Sequence, residues 1–553
     1  MKKYFENRKG ITLVALVITI IILLILATIS IQSLTNTGLF QKAQEAKEKT
    51  KNATENQAKI LNEYEDELNK YISGNVKTLQ ADGSWNSSKK VNSPQLMEGM
   101  TGIYWDESGK EVEVNVDNQD NWYNYSASKR EWANAVTKDS SGNVTGYWVW
   151  IPRYAYKIES GRYTSTAGKI SVKFLQGTTN KDESNAEIST TYPETTGATM
   201  SSYVVHPSFT DGSEKGKNNH FMNGEWDKEI SGYWVAKYPA GFQECTQTIN
   251  NTAVTEPTIK TANVKFSDKN YTSYHSSYTT NALSQNLTSS GYASQKLSYP
   301  VFKPLTYAYN NISTGDAYTI SKEIASASSF YGLNSTKTDS HQMKNSEWGA
   351  VAYLTQSSYG RNRTEVTRNS KNLNNLNSKF IYAVTGYEES TVNGVAASST
   401  NNKTGVFDLS GCVWEYTAGY ISNGNTSINS CGKSYANTSA NVNGYLTLST
   451  KYATVYPYNT SESNTNNYSA YAEKKSTTYG FGDAVLETSN SGVDSTSWNR
   501  DFSYFPHTTH PFFERGGYFA DTSDAGTFAF HHNNGSCGGP FPGSGFRSVL
   551  VAQ

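Results

Sequence analysis

The sequence is poor in charge, in cysteine and in long apolar runs. Charged residues fill 18% of its 553 positions and the formal net charge is −1, so nothing in the balance of charge recruits nucleic acid or an anionic surface. Four cysteines (Cys245, Cys412, Cys431, Cys537) in so long a chain exclude a disulfide-built scaffold, and no CxxC spacing offers a zinc site. If they are oxidised, Cys412–Cys431 is the first pairing to consider. The sharpest absence is local. The 31 residues between Arg515 and Arg547 contain no Lys, Glu, Gln, Met, Trp, Leu, Ile or Val. Without a branched aliphatic, that stretch offers a core little beyond Phe528 and Phe530. What it does hold, Tyr, Ser, Gly and Asn, is the palette of a binding loop.

One apolar run stands out at the other end. Met1–Gly10 carries Lys2, Lys3, Arg8 and Lys9 against Glu6, and Ile11–Ile31 then runs 21 residues without a charge. That length crosses a bilayer as a helix, and the basic flank places everything beyond it outside the cell. Gly10 followed by Ile11-Thr12-Leu13-Val14-Ala15-Leu16 resembles the cleavage motif of type IV prepilins. The resemblance implies cutting between Gly10 and Ile11 by a prepilin peptidase, a retained apolar anchor in the membrane, and other pilin subunits as partners. The sequence departs from that pattern at Ala15, where major pilins carry Glu, which aligns it with minor and pseudopilin-like subunits. Leu61, Tyr64, Leu68 and Tyr71 share a helical face. A helix over 11–73, stopped at Gly74 and roughly 90 Å long if continuous, is therefore expected to act as membrane span and stalk behind a leader at 1–10.

Past Gly74, helical periodicity gives way to short aromatic and β-branched runs between Gly, Asn and Ser clusters, which read as strands and turns. Residues 74–145 read as a small β-rich linker and 146–553 as the head. Two runs, Gly146–Ile158 and Gly232–Phe242, share Gly-Tyr-Trp-Val without a fixed repeat period. Thr319–Phe330 and Ser346–Leu354 carry the helix signals. Thr178–Thr199, Glu256–Ser290 and Ser434–Asn466 read as surface insertions.

Several patches of the head resemble the formylglycine-generating enzyme family. They are Gly232–Tyr238 (GYWVAKY), Ser346–Ala352 (SEWGAVA), Gly405–Thr417 (GVFDLSGCVWEYT), Arg515-Gly516-Gly517 and the closing Gly545-Phe546-Arg547, in the family's order. The resemblance implies an α+β fold class: a long N-terminal membrane and stalk helix followed by a C-type-lectin-like head with little regular secondary structure. It makes Trp348, Trp414 and Phe546 scaffold aromatics, and Arg515 and Arg547 anchors through charge-assisted hydrogen bonds. The family's oxidases need two cysteines in the C-terminal segment; only Cys537 is there, so that chemistry is not expected. A structural calcium is the one cofactor the reading leaves open.

The restricted alphabet has a genetic reading. Codons ending in a pyrimidine cannot encode Lys, Glu, Gln, Met or Trp, the residues missing from the C-terminal stretch. The pattern resembles the variable region of proteins diversified by retroelements. By that resemblance Tyr518, Phe519, Ala520, Asp521, His531, His532, Ser536, Cys537, Gly538, Pro540, Phe541 and Pro542 are variable, with Asp501, His507, Thr508 and His510 an upstream cluster, all within a face spanning 498–545. The expected function is a ligand-binding adhesin or receptor on a bacterial surface, without catalysis. Its partner would be a protein or glycan on another cell or a phage. The alternatives are a metal-dependent oxidase or hydroxylase of the same fold and a structural minor pilin. No metal site is expected, because His507 and His510 sit on a Pro-flanked loop with no helix to aim both rings at one point.

Overall fold

Aromatic and β-branched side chains pack well on a pleated surface, and Gly, Asn and Asp close the turns between them. In the computed structural model the described residues are 16–23, most of 42–60, 78–193, 197–211, 226–246, 299–310, 312–370, 372–374, 381–386, 394–422, much of 441–457, 468–469, and 481–553 apart from 508–509, 522, 533–537, 540 and 542. The chain forms two units, Met1–Thr78 and Leu79–Gln553. In the first, residues 16–23 are helical, as are the described residues between 42 and 60; Gly10, Ile11 and Ala15 lie outside the described residues.

The second unit is mostly β-sheet. Twelve of its strands make the two larger sheets: β1 (Met100–Trp105), β2 (Glu111–Glu113), β3 (Asn134–Lys138), β4 (Val144–Pro152), β5 (Gly232–Ala236), β6 (Thr338–Gln342), β7 (Trp414–Ser422), β8 (Thr454–Pro457), β9 (Phe512–Arg515), β10 (Phe530–His532), β11 (Ser544–Phe546) and β12 (Ser548–Ala552). The expected α+β class, with one long membrane and stalk helix ahead of a head with little regular structure, is thereby corrected. More of the described residues lie in strands than in helices, their helices are short, and no helix among them is long and apolar enough to cross a membrane. The sequence reading joined the apolar run at 11–31 and the periodic stretch ending at 72 into one helix; residues 24–41 between them lie outside the described residues.

The first sheet is antiparallel throughout and runs β6-β12-β5-β4-β3-β1-β2. It crosses residue 145 without a break, so the expected linker at 74–145 supplies three strands of the same sheet as the head. The two Gly-Tyr-Trp-Val runs prove to be neighbours: Trp150 faces Trp234 and Val149 faces Val235 in the β4–β5 register, with the Trp rings 5.3 Å apart. Trp148, Trp150, Trp234 and the nearby Trp132 are fully buried; four indoles supply much of the area that aliphatics would supply elsewhere.

The second sheet runs β8-β7-β9-β10, with β11 also paired on β7. Thr454–Pro457, inside the expected insertion 434–466, is thus a strand lying parallel to β7. The insertion at 256–290 lies outside the described residues. Two helices pack against the sheets. Helix α1 (Thr314–Glu323) is capped by Ser313, whose hydroxyl accepts the Asp316 N–H. Helix α2 (Asn345–Gln356) is buried along its whole length. Its Glu347 carboxylate accepts the Lys344 N–H at 2.9 Å and the His341 Nε2 hydrogen at 2.9 Å.

The chain steps from β11 directly into β12 through Arg547, so one buried guanidinium sits where the two sheets join. Its Nε and Nη2 fork onto Glu415 of β7 at 2.9 and 2.7 Å. The remaining donors reach the carbonyls of Ala236, Lys237 and Phe407. Five donors in a rigid fork suit this joint as no other side chain does.

Candidate functional site

Residues 501–505 alternate as a strand does: Asp501, Ser503 and Phe505 are buried, Phe502 and Tyr504 half-buried. Ser503 bridges to Phe530 in parallel, which lays this segment beside β10. Asp501, expected on the variable face, points the other way. It is fully buried, its Oδ2 accepts the Phe528 N–H at 2.9 Å, and burial pushes its pKa well up. A Cβ at Gly526 would sit 2.1 Å from its carboxylate. Asp501 holds the turn ahead of β10.

The outward side chains meet those of β10. His531 and His532 stack at 4.3 Å between ring centres. His531 also packs on Phe502 and Trp414, each at 5.2 Å, and Tyr504 lies edge-on to His532 at 4.8 Å. A tight turn then adds two more imidazoles. His507 and His510 exchange backbone hydrogen bonds, N–H to carbonyl at 3.1 and 3.0 Å. In such a hydrogen-bonded antiparallel pair both side chains rise from the same side. Their rings stand 4.9 Å apart and 4.8 and 4.7 Å from His532. The helix thought necessary to aim two rings at one point is replaced by a hairpin turn.

Burial lowers the pKa of His531 to about 3 and that of His507 to about 4, with neighbouring imidazoles adding to the shift. His510 is lowered for the same reason. At neutral pH these three rings are uncharged. Beneath them, Glu514 of β9 accepts the Ser544 hydroxyl and lies 3.6 Å from His531 Nδ1.

Trp414 closes the other end of this strip. It is 5% exposed, and its indole N–H reaches the carboxylate of Asp521, which burial raises to about 6. Asp521 in turn accepts the Tyr518 N–H at 3.0 Å. Tyr518 is half-buried, Ala520 exposed and Phe541 exposed at 38%. Phe519, expected on the face, is buried at 7% and packs with Cys412 and Val413. Gly538, also expected on the face, is enclosed as well. It is buried, its φ is +70°, and a Cβ there would meet Thr314 at 2.5 Å and Phe512 at 2.7 Å, so only glycine fits. Thr508, Ser536, Cys537, Pro540 and Pro542 lie outside the described residues. Cys412 is a buried free thiol, and Cys431 also lies outside them.

No family model matches the chain, and no curated protein matches it in sequence.

Trp348, Arg515, Phe546 and Arg547 lie beneath this strip, all fully buried. The Trp348 indole donates to Thr527 at 2.9 Å, and Arg515 donates to the carbonyls of Ala529, Asp483 and Ala484 at 2.8–2.9 Å. Burial holds the Arg515 guanidinium down to about 10. The strip above them has geometry for contact and for metal ligation. A large open cleft of about 770 Å³ lies elsewhere, between Ala167, Asn362, Arg363, Asn499 and Arg500. Its walls are exposed polar loops with no convergent buried group, and the strip carries the stronger case for a site. Phe502 and Tyr504 escaped the sequence reading, although the period-two alternation of 501–505 points to them.

Proposed function

We propose that this protein is a non-catalytic ligand-binding protein and that the strip from His507 and His510, across His532, His531 and Trp414, to Tyr518 and Phe541 is its contact face. The observation that carries the reading is the division of labour in one short segment. Arg515, Phe528, Phe530 and Arg547 are buried, the two arginines tied to backbone carbonyls, while Tyr518, His531, His532 and Phe541 between them are half-buried or exposed and carry almost none of the core. Rigid aromatics on a fixed frame give contact area at low entropic cost. The restricted alphabet of 516–546 supports a face that is rewritten between copies, and the basic leader with its uncharged 11–31 run supports display outside the cell. A quadruple variant, Tyr504→Ser, His532→Ser, Tyr518→Ser and Phe541→Ser, tests this. It is expected to unfold within a few degrees of the parent while losing binding to an array of glycans and bacterial cell-surface proteins. Loss of the fold in that variant, or unchanged binding by it, refutes the assignment.

A further inference from the structure

We propose that His507, His510 and His532 form a binding site for a borderline divalent cation, Zn²⁺ in the first instance. The coordinating nitrogens of the three side chains all lie within 4.8 Å of one another. Three imidazoles around zinc at about 2.0–2.1 Å stand about 3.4 Å apart, so small side-chain rotations close the site without moving backbone. The backbone is already committed. The reciprocal hydrogen bonds between His507 and His510 fix those two on one side of their turn. The third ring comes from β10, where His532 is held opposite Phe513 by the β9–β10 register.

The ligand set decides the class of ion. Neutral imidazoles without thiolate or carboxylate suit zinc, copper or nickel and disfavour calcium and magnesium, which take oxygen donors. A site with three protein ligands leaves a fourth position for water or an incoming donor. All three histidines are half-exposed, so that position opens to solvent. Tyr504, 4.8 Å from His532, and the stacked His531 pack against the third ligand from the inner side. The site would tie the 507–510 turn to β10 of the second sheet.

This inference stands apart from the contact-face reading: zinc can bind whether or not the strip meets a ligand. The test titrates the full chain, stripped of metal, with zinc chloride by calorimetry. One zinc per chain is expected, with a dissociation constant of about 1 µM or tighter. His507→Ala, His510→Ala and His532→Ala should each weaken it at least about ten-fold, with the melting point of the metal-free protein moved by only a few degrees. X-ray absorption at the zinc edge of the unsubstituted 1:1 complex, which needs no variant to fold, should show three imidazoles. A spectrum with fewer than three, affinity unchanged by His532→Ala, or binding weaker than about 100 µM overturns the site.

Discussion

Arg547 and Glu415 form a two-pronged ion pair, at 2.9 and 2.7 Å, in which both side chains are excluded from water. Removing one partner leaves the other charged and buried, at a cost of about 3–5 kcal/mol. Glu415→Gln is expected to lower stability by that order in urea unfolding. Arg547→Lys should do no better, since an ammonium cannot reach two carboxylate oxygens and three carbonyls at once. A loss below about 1 kcal/mol for either would show that the joint between the sheets does not depend on this pair.

His206 supplies a pH dependence. Its ring is buried among Tyr154, Tyr156 and Tyr353, takes the Ser208 N–H, and has its pKa lowered to about 3 by burial. The unfolded chain takes up a proton near pH 6.5 and the folded one does not. Stability is therefore lost as pH falls from about 6.5 toward 3, by about 1.4 kcal/mol per pH unit from this group. His206→Asn keeps an acceptor for Ser208 and removes the titration. The difference in unfolding free energy between parent and variant should shrink steadily over that range; a constant difference contradicts the assignment.

Gly349 lies inside α2, where a Cβ would stand 2.0 Å from the Gly482 carbonyl oxygen. Gly349→Ala improves helix propensity yet is expected to destabilise by about 3 kcal/mol, because backbone and not a movable side chain stands in the way. A stabilised variant in thermal unfolding would mean that the 482–483 loop yields freely.

Phe528 and Phe541 separate frame from face. Phe528 is 2% exposed and packs on Trp498, whereas Phe541 is 38% exposed. Phe528→Ala should cost about 3–5 kcal/mol and Phe541→Ala under about 1 kcal/mol in chemical denaturation. Equal losses would erase the distinction.

Much of this was legible in residue types, and what was not has a physical reason. The helix signal at 346–354 matches α2 to within two residues at either end, because Trp348, Val351 and Ala352 recur at helical spacing. The Gly-Tyr-Trp-Val runs were readable as strands, but nothing in them announced that they pair with each other; register is a long-range property. Asp501 was grouped with the variable residues for its type, when the alternation around it sets its direction. The three-histidine cluster was hidden for a related reason. A turn closed by backbone hydrogen bonds brings His507 and His510 together, and strand pairing brings His532, neither of which a spacing rule for helices detects.

Strand β12 lies between β6 and β5, hydrogen-bonded on both flanks, yet it follows every residue of 498–545 in the chain. A reading-frame slip or early stop anywhere in 498–545 would delete the keystone of the first sheet and leave two raw edges. Such a chain would present unpaired strand edges in place of a closed ladder, so completion of the first sheet depends on every loop before β12 being translated in frame.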